Sequence, residues 1–448
     1  MSTVSFAAWM LAQEARALLT RLARVKPFAL HEAMLPAAGL LPSAQTAIER
    51  YLAHGRRELQ GLVHSYLEWL QEPAGRKASP ADAQRRFTFL RLKFNTVLTQ
   101  FDLFNNVLTQ RSENETGVWL SGLDVVSADA LALPGDYYEA PPVICYLDRG
   151  AGAAIRRART RLPGGGDNPV AIIRVPRERM IGSGIASSLV HEVGHQAAAL
   201  MDLINSLRPV LQGLQRGSGA TTDAWTFWER WISEIIADFW SIARVGVGST
   251  LGLMGVVSLP RAFVFRLSLD DPHPTPWLRV KLSCAIGQAL YPHPQWDRLA
   301  RLWESYYPLS GLDSERQRLF ARLQESLPGF VAVLINHRPR ALRGRSLTEV
   351  LEVRNRQPTR LTALYRSWQR APGQMYSTAP SLVFAVLGQA RSDGKLSPED
   401  ESTVVGKLLT HWALRSTLDA SAACSMQSSQ RARRPTVSEY TRHRLTIH

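Results

Sequence analysis

Two histidines and a glutamate stand together in one short segment of the sequence, "SSLVHEVGHQAAAL" (187–200). His191 and His195 are four residues apart, and Glu192 directly follows the first of them. On a helix such a pair lies one turn apart on one face, so both imidazoles can bind a single zinc ion at about 2.0–2.1 Å. Glu192 is rotated aside, where its carboxylate can contact a water bound to that ion. The spacing therefore predicts two metal ligands and a general base.

A third ligand is available in "SEIIAD", where Glu234 and Asp238 repeat the spacing of four residues. We expect Glu234 to complete the metal site. Asp238 is then placed to accept the second ring N–H of a ligating histidine, His191 in our interpretation, and so to hold the ring in position. The rival third ligand is Glu229 in "FWERW", but no acidic residue follows it at the fourth position.

The non-chemical alternative is an ordinary helix with two half-buried histidines, beside a second helix with a solvated acidic face. Against that alternative, the neighbours of the two carboxylates are apolar: Ile235, Ile236, Phe239 and Trp240. Such neighbours argue against a face that contacts only water, because apolar side chains of this size are usually buried. We therefore favour a zinc site.

The elements that must position these residues follow from the local patterns. "PPVICYLD" (141–148) and "NPVAIIRVP" (168–176) are short, β-branched and flanked by turn residues, as is typical of strands. The motif helix comes next, and a second helix spans about 224–245 after the loop "GSGATTD". The strand at 168–176 is either an edge strand, along which an extended peptide could pair, or a plain core strand, and the sequence leaves both open.

The regions on either side of this core are helical. Apolar residues recur at helical spacing over 44–71 and about 81–110, with Ser79 and Pro80 as cap and first residue of the second helix. Ser346 and Glu349 predict a capping box at another helix start. The predicted fold is thus α+β, predominantly α-helical, with a small sheet in the core.

We divide the chain into three regions. They are an N-terminal helical region (1–130), a core (131–330) and a C-terminal helical region (331–448) whose Ser- and Arg-rich end, from about Ser421, is expected to be loose. A length of 448 residues exceeds what one compact core usually holds, and 45% hydrophobic with 20% charged residues is typical of a soluble globular protein.

Cysteine content and hydropathy bear on location. The three cysteines are odd in number and widely spaced, which argues against a disulfide framework and predicts a reducing compartment, the cytoplasm. The most apolar window, "VGVGSTLGLMGVVSLP" (245–260), is Gly-rich and shorter than the roughly 20 residues of a membrane span. We expect a buried helix there, with a membrane-touching segment as the alternative.

The formal net charge of +15 comes mostly from arginine clusters such as "RRARTR" (156–161). Basic patches can bind nucleic acid. However, arginine is favoured over lysine throughout, which indicates a compositional bias of the genome, and no zinc finger, RNA-recognition signature or Walker loop is present. Nucleic acid is therefore not an expected partner, and the oligomeric state is left open.

Three motifs in order, "HEVGH", "EIIAD" and "DPHPTPWLR" (271–279), carry a family resemblance. They resemble the successive signatures of the gluzincin zinc metallopeptidases of the HtpX and type I CAAX prenyl protease kind, over roughly residues 170–285. That pattern ends in a His-Pro pair with an Arg six residues after the His, places taken here by His273, Pro274 and Arg279. The transmembrane helices of that family are not evident in this sequence, so we do not expect its membrane location or its prenylated substrates here.

The resemblance implies a zincin-like core and a zinc metalloendopeptidase that acts on a protein or peptide. In that interpretation Zn²⁺ is held by the two histidines and Glu234, and Glu192 takes the proton of the attacking water. His273 would donate to the oxyanion, and Arg279 would either support the site or bind acidic side chains of the substrate. The alternative function is a non-catalytic or latent zincin-fold protein that works in binding or assembly through its helical flanks.

Overall fold

The computed structural model describes residues 3–24, 35–150, 152–162, 166–177, 182–216, 222–268 and 271–433. The described chain is predominantly helical with one small mixed sheet, which confirms the predicted fold class. Its helices are α1 Thr3–Arg24, α2 Pro42–Gln71, α3 Pro73–Lys77, α4 Pro80–Thr109, α5 Asn114–Leu131, α6 Ser183–Leu200, α7 Leu203–Gln215, α8 Thr222–Val245, α9 Val247–Val257, α10 Arg261–Val264, α11 Pro276–Leu290, α12 Gln295–Tyr306, α13 Ser314–Asn336, α14 Leu347–Val350, α15 Pro358–Arg370, α16 Pro380–Ser392 and α17 Pro398–Arg433. The strands are β1 Val143–Asp148, β2 Ala154–Arg156 and β3 Ala171–Pro176.

Several helix starts follow from capping chemistry. The Ser79 hydroxyl accepts a hydrogen bond from the backbone N–H of Asp82 at the start of α4. Ser346 and Glu349 form a reciprocal capping box at the start of α14. Both starts lie where the sequence predicts them, because these caps depend only on residues within one turn.

The last helix is longer than its composition predicts. α17 continues through residues 421–433, part of the segment that we expected to be loose. Alanine, glutamine, methionine and arginine are good helix formers, and they extend a helix that has already begun. Residues 434–448 lie outside the described part of the chain.

The sheet has the order β1-β3-β2. β3 pairs parallel with β1 and antiparallel with β2, so β3 is central. The edge-strand interpretation of 168–176 is therefore wrong, and the core-strand alternative is confirmed. The reason is pairing at both edges, with β1 on one side and β2 on the other. The faces are covered separately: Ile172 packs with the N-terminal helices and Ile173 with the helices of the motif. The edge strand on this side is β2, whose three residues give too short a pattern to be predicted.

The described side chains form two hydrophobic clusters. The larger runs from Leu120 to Trp412 and includes one face of the sheet together with α6, α8, α9 and α11. The smaller is built from α1, α2 and α4, and it covers the other face of the sheet through Ile144 and Ile172. The sheet thus lies between the N-terminal helices and α6, while the boundaries of the three predicted regions stay predictions.

Most of the apolar segment at 245–260 forms the helix α9, whose first turn (247–250) is buried and whose later residues are mostly buried or half-buried. It packs closely on α6, since a side chain at Gly252 would overlap Ser187. Among the helices of the described ranges, none combines the length and the apolar character needed to cross a bilayer. Cys145 and Cys284 are buried thiols, and Cys424 is exposed.

Candidate metal centre

A close contact between α6 and α8 brings the histidines of one helix next to the acidic residues of the other. Gly194 of α6, between the two motif histidines, faces α8, and a Cβ built there would lie 2.8 Å from Cα of Ala237 and 2.9 Å from Cβ of Trp240. Only glycine permits this approach of the two backbones. The contact sets His191 and His195 directly opposite the acidic residues of α8.

The motif histidines and Glu234 form one compact group. Their ligand atoms all lie within 4.8 Å of one another, and in the described residues they form a group that could hold a metal ion. Nε2 of His191 is 3.3 Å from Oε2 of Glu234, and Nε2 of His195 is 3.4 Å from Oε1. The two imidazole planes are nearly perpendicular, at 87°. Both rings therefore present the same type of nitrogen to one carboxylate.

Each of these two distances, which end on different oxygens of Glu234, has the length of one edge of a tetrahedral zinc site. Two atoms bound at about 2.0–2.1 Å to a tetrahedral metal are about 3.3–3.4 Å apart, by simple geometry. The Oε2 atom of Glu234 is buried and accepts no well-aligned hydrogen bond from any described residue, although imidazole nitrogens of His191 and His273 lie 3.3 and 3.1 Å away. Close but misaligned donors around a buried carboxylate oxygen are what a coordinating ligand set looks like without its ion.

A second layer of contacts fixes the ring of His191. Its Nδ1 lies 2.7 Å from Oδ1 of Asp238, so an N–H at Nδ1 donates to the carboxylate and Nε2 is directed toward Glu234. Asp238 in turn accepts two hydrogen bonds from Arg279, from Nε at 2.7 Å and from Nη2 at 2.8 Å. Arg279 is thereby committed to Asp238, which favours the supporting alternative over contact with acidic substrate side chains.

The charges in this layer are mutually stabilised. Burial opposes ionisation of Asp238, but Arg279 and His191 outweigh it and hold the pKa of that carboxyl well below its usual range. Burial would lower the pKa of His191, yet Asp238 raises it to about 9. A metal ion at Nε2 of His191 must displace a proton, as is general for imidazole ligands.

Glu234 is ionised for a related reason. Its burial opposes the charged form, but the imidazoles of His191, His195 and His273 surround it and keep its pKa well below the usual range. The contact with Glu234 also raises the pKa of His273. An anionic carboxylate is the form that binds a metal.

His273 reaches the same point from a separate loop. Its Nδ1 contacts Oδ1 of Asp271 at 2.7 Å, and the same oxygen accepts the backbone N–H of His273 at 3.0 Å. Its Nε2 is 3.1 Å from Oε2 of Glu234, and about half of the side chain is exposed. The ring is therefore oriented by Asp271, with an N–H group directed to the candidate centre from the solvent side.

Glu192 lies at the wall of a small cavity of about 110 Å³ that also touches His191. The residue is only 8% exposed. Gly152 and Ala153, which lead into β2, form part of the same wall. Glu192, one ligand histidine and the segment that leads into the edge strand thus line the same cavity.

Two residues of the site have no signal in the sequence pattern. Asp271 orients His273 but sits in a short loop with no regular spacing. Gln196, next to His195, is buried and accepts the backbone N–H of Ala158 at 2.8 Å. This bond ties the segment after β2 to the helix of the motif.

The rival third ligand is elsewhere. Glu229 contacts Nε of Arg208 at 2.6 Å and is not part of the group formed by the histidines and Glu234.

Comparison of the chain with protein-family models, with curated proteins and with solved structures finds no match. The likeness to gluzincin peptidases therefore depends on the three motifs themselves.

Proposed function

We propose that the protein is a zinc-dependent endopeptidase of the gluzincin type that hydrolyses peptide bonds of a protein or peptide. The observation that supports this most is the pair of 3.3 and 3.4 Å distances between the motif imidazoles and Glu234, which match the edge of a tetrahedral zinc site. The two histidines and Glu234 would hold Zn²⁺. The bound ion would act as a Lewis acid and lower the pKa of its water toward about 7.

The chain's own residues then have distinct tasks. Glu192 takes a proton from the attacking water and passes it to the leaving amine, acting first as base and then as acid. His273 donates from Nε2 to the oxyanion that forms on the substrate carbonyl, and Asp271 keeps Nδ1 protonated so that this donor is correctly oriented. Asp238 and Arg279 keep the ring of His191 in place.

The substrate would bind as an added strand on β2. β3 is the strand that pairs with β2 among those described, so the outer edge of β2 is available for backbone hydrogen bonds. Gln196 bonds the segment that follows β2 to the helix of the ligands. A peptide on β2 would pass Ala153 and the carboxylate of Glu192.

Metal content tests the ligand set. Glu234→Ala should lose zinc, because two imidazoles alone leave the ion with half of its tetrahedral ligands. Glu229→Ala is the matched control: it removes a carboxylate from the same helix, and it should keep one zinc per chain. Elemental analysis of the purified proteins gives the ratio. Equal zinc in both variants would reject Glu234 as a ligand.

Hydrolysis tests the base. Glu192→Gln should keep its zinc but lose about 10²–10⁴-fold in casein hydrolysis, the usual contribution of a general acid–base group. Glu229→Gln, with the same chemical change on α8, should retain the wild-type rate. If Glu192→Gln digests casein as fast as wild type, the proposed mechanism is wrong.

One observation favours the second candidate, a latent or non-catalytic binding protein. The side chains of the ligand group are only 10–15% exposed, and the adjoining cavity is small. Wild-type protein with one zinc per chain that cleaves neither casein nor any member of a proteome-derived peptide library would support that candidate. A cytoplasmic location accords with the buried thiols of Cys145 and Cys284 and stays a proposal.

A further inference from the structure

The cavity beside Glu192 is small and has a defined shape. Its volume is about 110 Å³, whereas pockets for drug-sized ligands measure about 300–1,000 Å³. The segment ahead of β2 lines it through Ala153, and α9 lines it through Leu253 and Val256. A cavity of this size is suited to one side chain.

We propose that this cavity receives the side chain of a substrate residue directly next to the cleaved bond, and that it admits small and aliphatic side chains up to about leucine in size but not phenylalanine or larger aromatic ones. The inference rests on the proposed peptidase function and adds its substrate preference. The position follows from the walls: Glu192 must lie beside the scissile bond, and Ala153 precedes the strand on which the peptide would pair.

The wall on α9 cannot retreat to make room for a larger side chain. Gly252 packs against Ser187 of α6 so closely that a methyl group at this glycine would overlap the serine. In addition, Gly248 of α9 lies against Gly388 of α16, where a built Cβ would be 2.8 Å from Cα of Gly248, so α9 is tightly packed against two neighbouring helices. A substrate side chain larger than the cavity would have to move α9, and overpacking of this kind is unfavourable.

Four polar side chains of the lining, those of Ser187, Asp238, Ser249 and Arg279, are already paired, which disfavours a charged substrate residue. Asp238 is bound by Arg279 through two hydrogen bonds. The Ser187 hydroxyl donates to the backbone carbonyl of Gly184, and the Ser249 hydroxyl donates to Ser241. An acidic side chain would lose its hydration without gaining a counter-charge. A basic side chain would pair with the carboxylate of Glu192 and so occupy the base.

The first test measures cleavage of a peptide series that carries Gly, Ala, Val, Leu or Phe at each of the two positions flanking one bond. At one of these positions, wild-type protein should prefer Ala to Phe by at least about 10-fold in kcat/KM, since pockets discriminate a single methylene by about 10–200-fold. Leu253→Ala should reduce this ratio at least about threefold, because it enlarges the cavity by three carbons. Leu251→Ala, the same truncation on α9 outside this cavity, should leave the ratio unchanged.

The second test separates this inference from the proposed function. The same peptides, labelled with a fluorophore, are titrated with full-length Glu192→Gln and with its double variant carrying Leu253→Ala, and binding is followed by anisotropy. Tighter binding of the Ala peptide than of the Phe peptide, lost in the double variant, supports the cavity even if wild type hydrolyses nothing. Size-independent binding, or no binding, overturns the inference, even when casein is cleaved.

Discussion

At the scale of single residues, the centre is organised around one carboxylate. Glu234 contacts imidazoles from two elements, the motif helix and the loop of His273, and two of these imidazoles are oriented by a further carboxylate. Asp238 orients one ring and Asp271 another. Such preorganisation lowers the entropy that metal binding must overcome, since the ligands already point to one place.

The contribution of the outer layer can be measured at Asp238. Asp238→Asn removes the anion that holds Nδ1 of His191 and leaves Arg279 buried without its partner, so zinc affinity should fall about 10–100-fold. The measurement is competition with a chromophoric chelator. Asp223→Asn is the control: this residue lies on the same helix, is 78% exposed, and should leave affinity unchanged. Equal affinities in the two variants would contradict the role of Asp238.

The sequence predicts the part of the site that depends on helical spacing. His191 with His195, and Glu234 with Asp238, are readable because residues four apart share a face in any helix. That the two pairs meet at one ion is inferred from the need of zinc for a third ligand, and the spacing itself does not show it. Gln196 could not be assigned a role, because its partner Ala158 is 38 residues away and is chosen by the packing of the segment after β2.

At the scale of elements, the approach of α6 to α8 decides whether the ligands meet. Gly194→Ala places a methyl group 2.8 Å from the backbone of Ala237, so the helices must separate. Overpacking of this kind costs about 1–3 kcal/mol, and it should also weaken zinc binding because the ligands sit on the two separated helices. Urea unfolding and chelator competition measure the two effects.

The matched control for this change is Gly61→Ala, in the middle of α2. Its Cβ would meet nothing within 4 Å. The substitution should therefore stabilise the protein by about 0.5–1 kcal/mol through helix propensity alone. A Gly194→Ala protein that is as stable as Gly61→Ala and binds zinc normally would show that the close contact is unimportant.

The strands illustrate what periodicity leaves undecided. β1 and β3 were predicted because a β-branched run between turn residues is a strong local signal. Whether such a run is central or at an edge depends on what pairs with it, and here the three residues of β2 make β3 central. The buried faces of Ile172 and Ile173 are compatible with either position until the neighbouring elements are known.

At the scale of the whole molecule, the N-terminal helices support the sheet that carries the proposed substrate edge. The side chain of Gln110 bonds both the N–H and the carbonyl of Leu147 in β1. Arg111, fully buried, donates to both oxygens of Asp124 in α5 and to the carbonyl of Cys145. The N-terminal cluster and the larger cluster are thus joined by polar bonds inside the protein as well as by apolar packing.

These contacts indicate that residues 1–112 stabilise the fold and do not merely cover the candidate site. Deleting them leaves Asp124 buried without its cation, a loss of about 3–5 kcal/mol, and uncovers one face of the sheet at Ile144 and Ile172. The truncated chain should be insoluble or lack a cooperative thermal transition, and hydrolysis of casein should not rise. In full-length protein, Arg111→Met should lower stability by a similar amount, whereas Arg85→Met, at an exposed pair, should change it by less than about 0.5 kcal/mol. A folded fragment with faster hydrolysis would instead identify the N-terminal helices as an inhibitory cover.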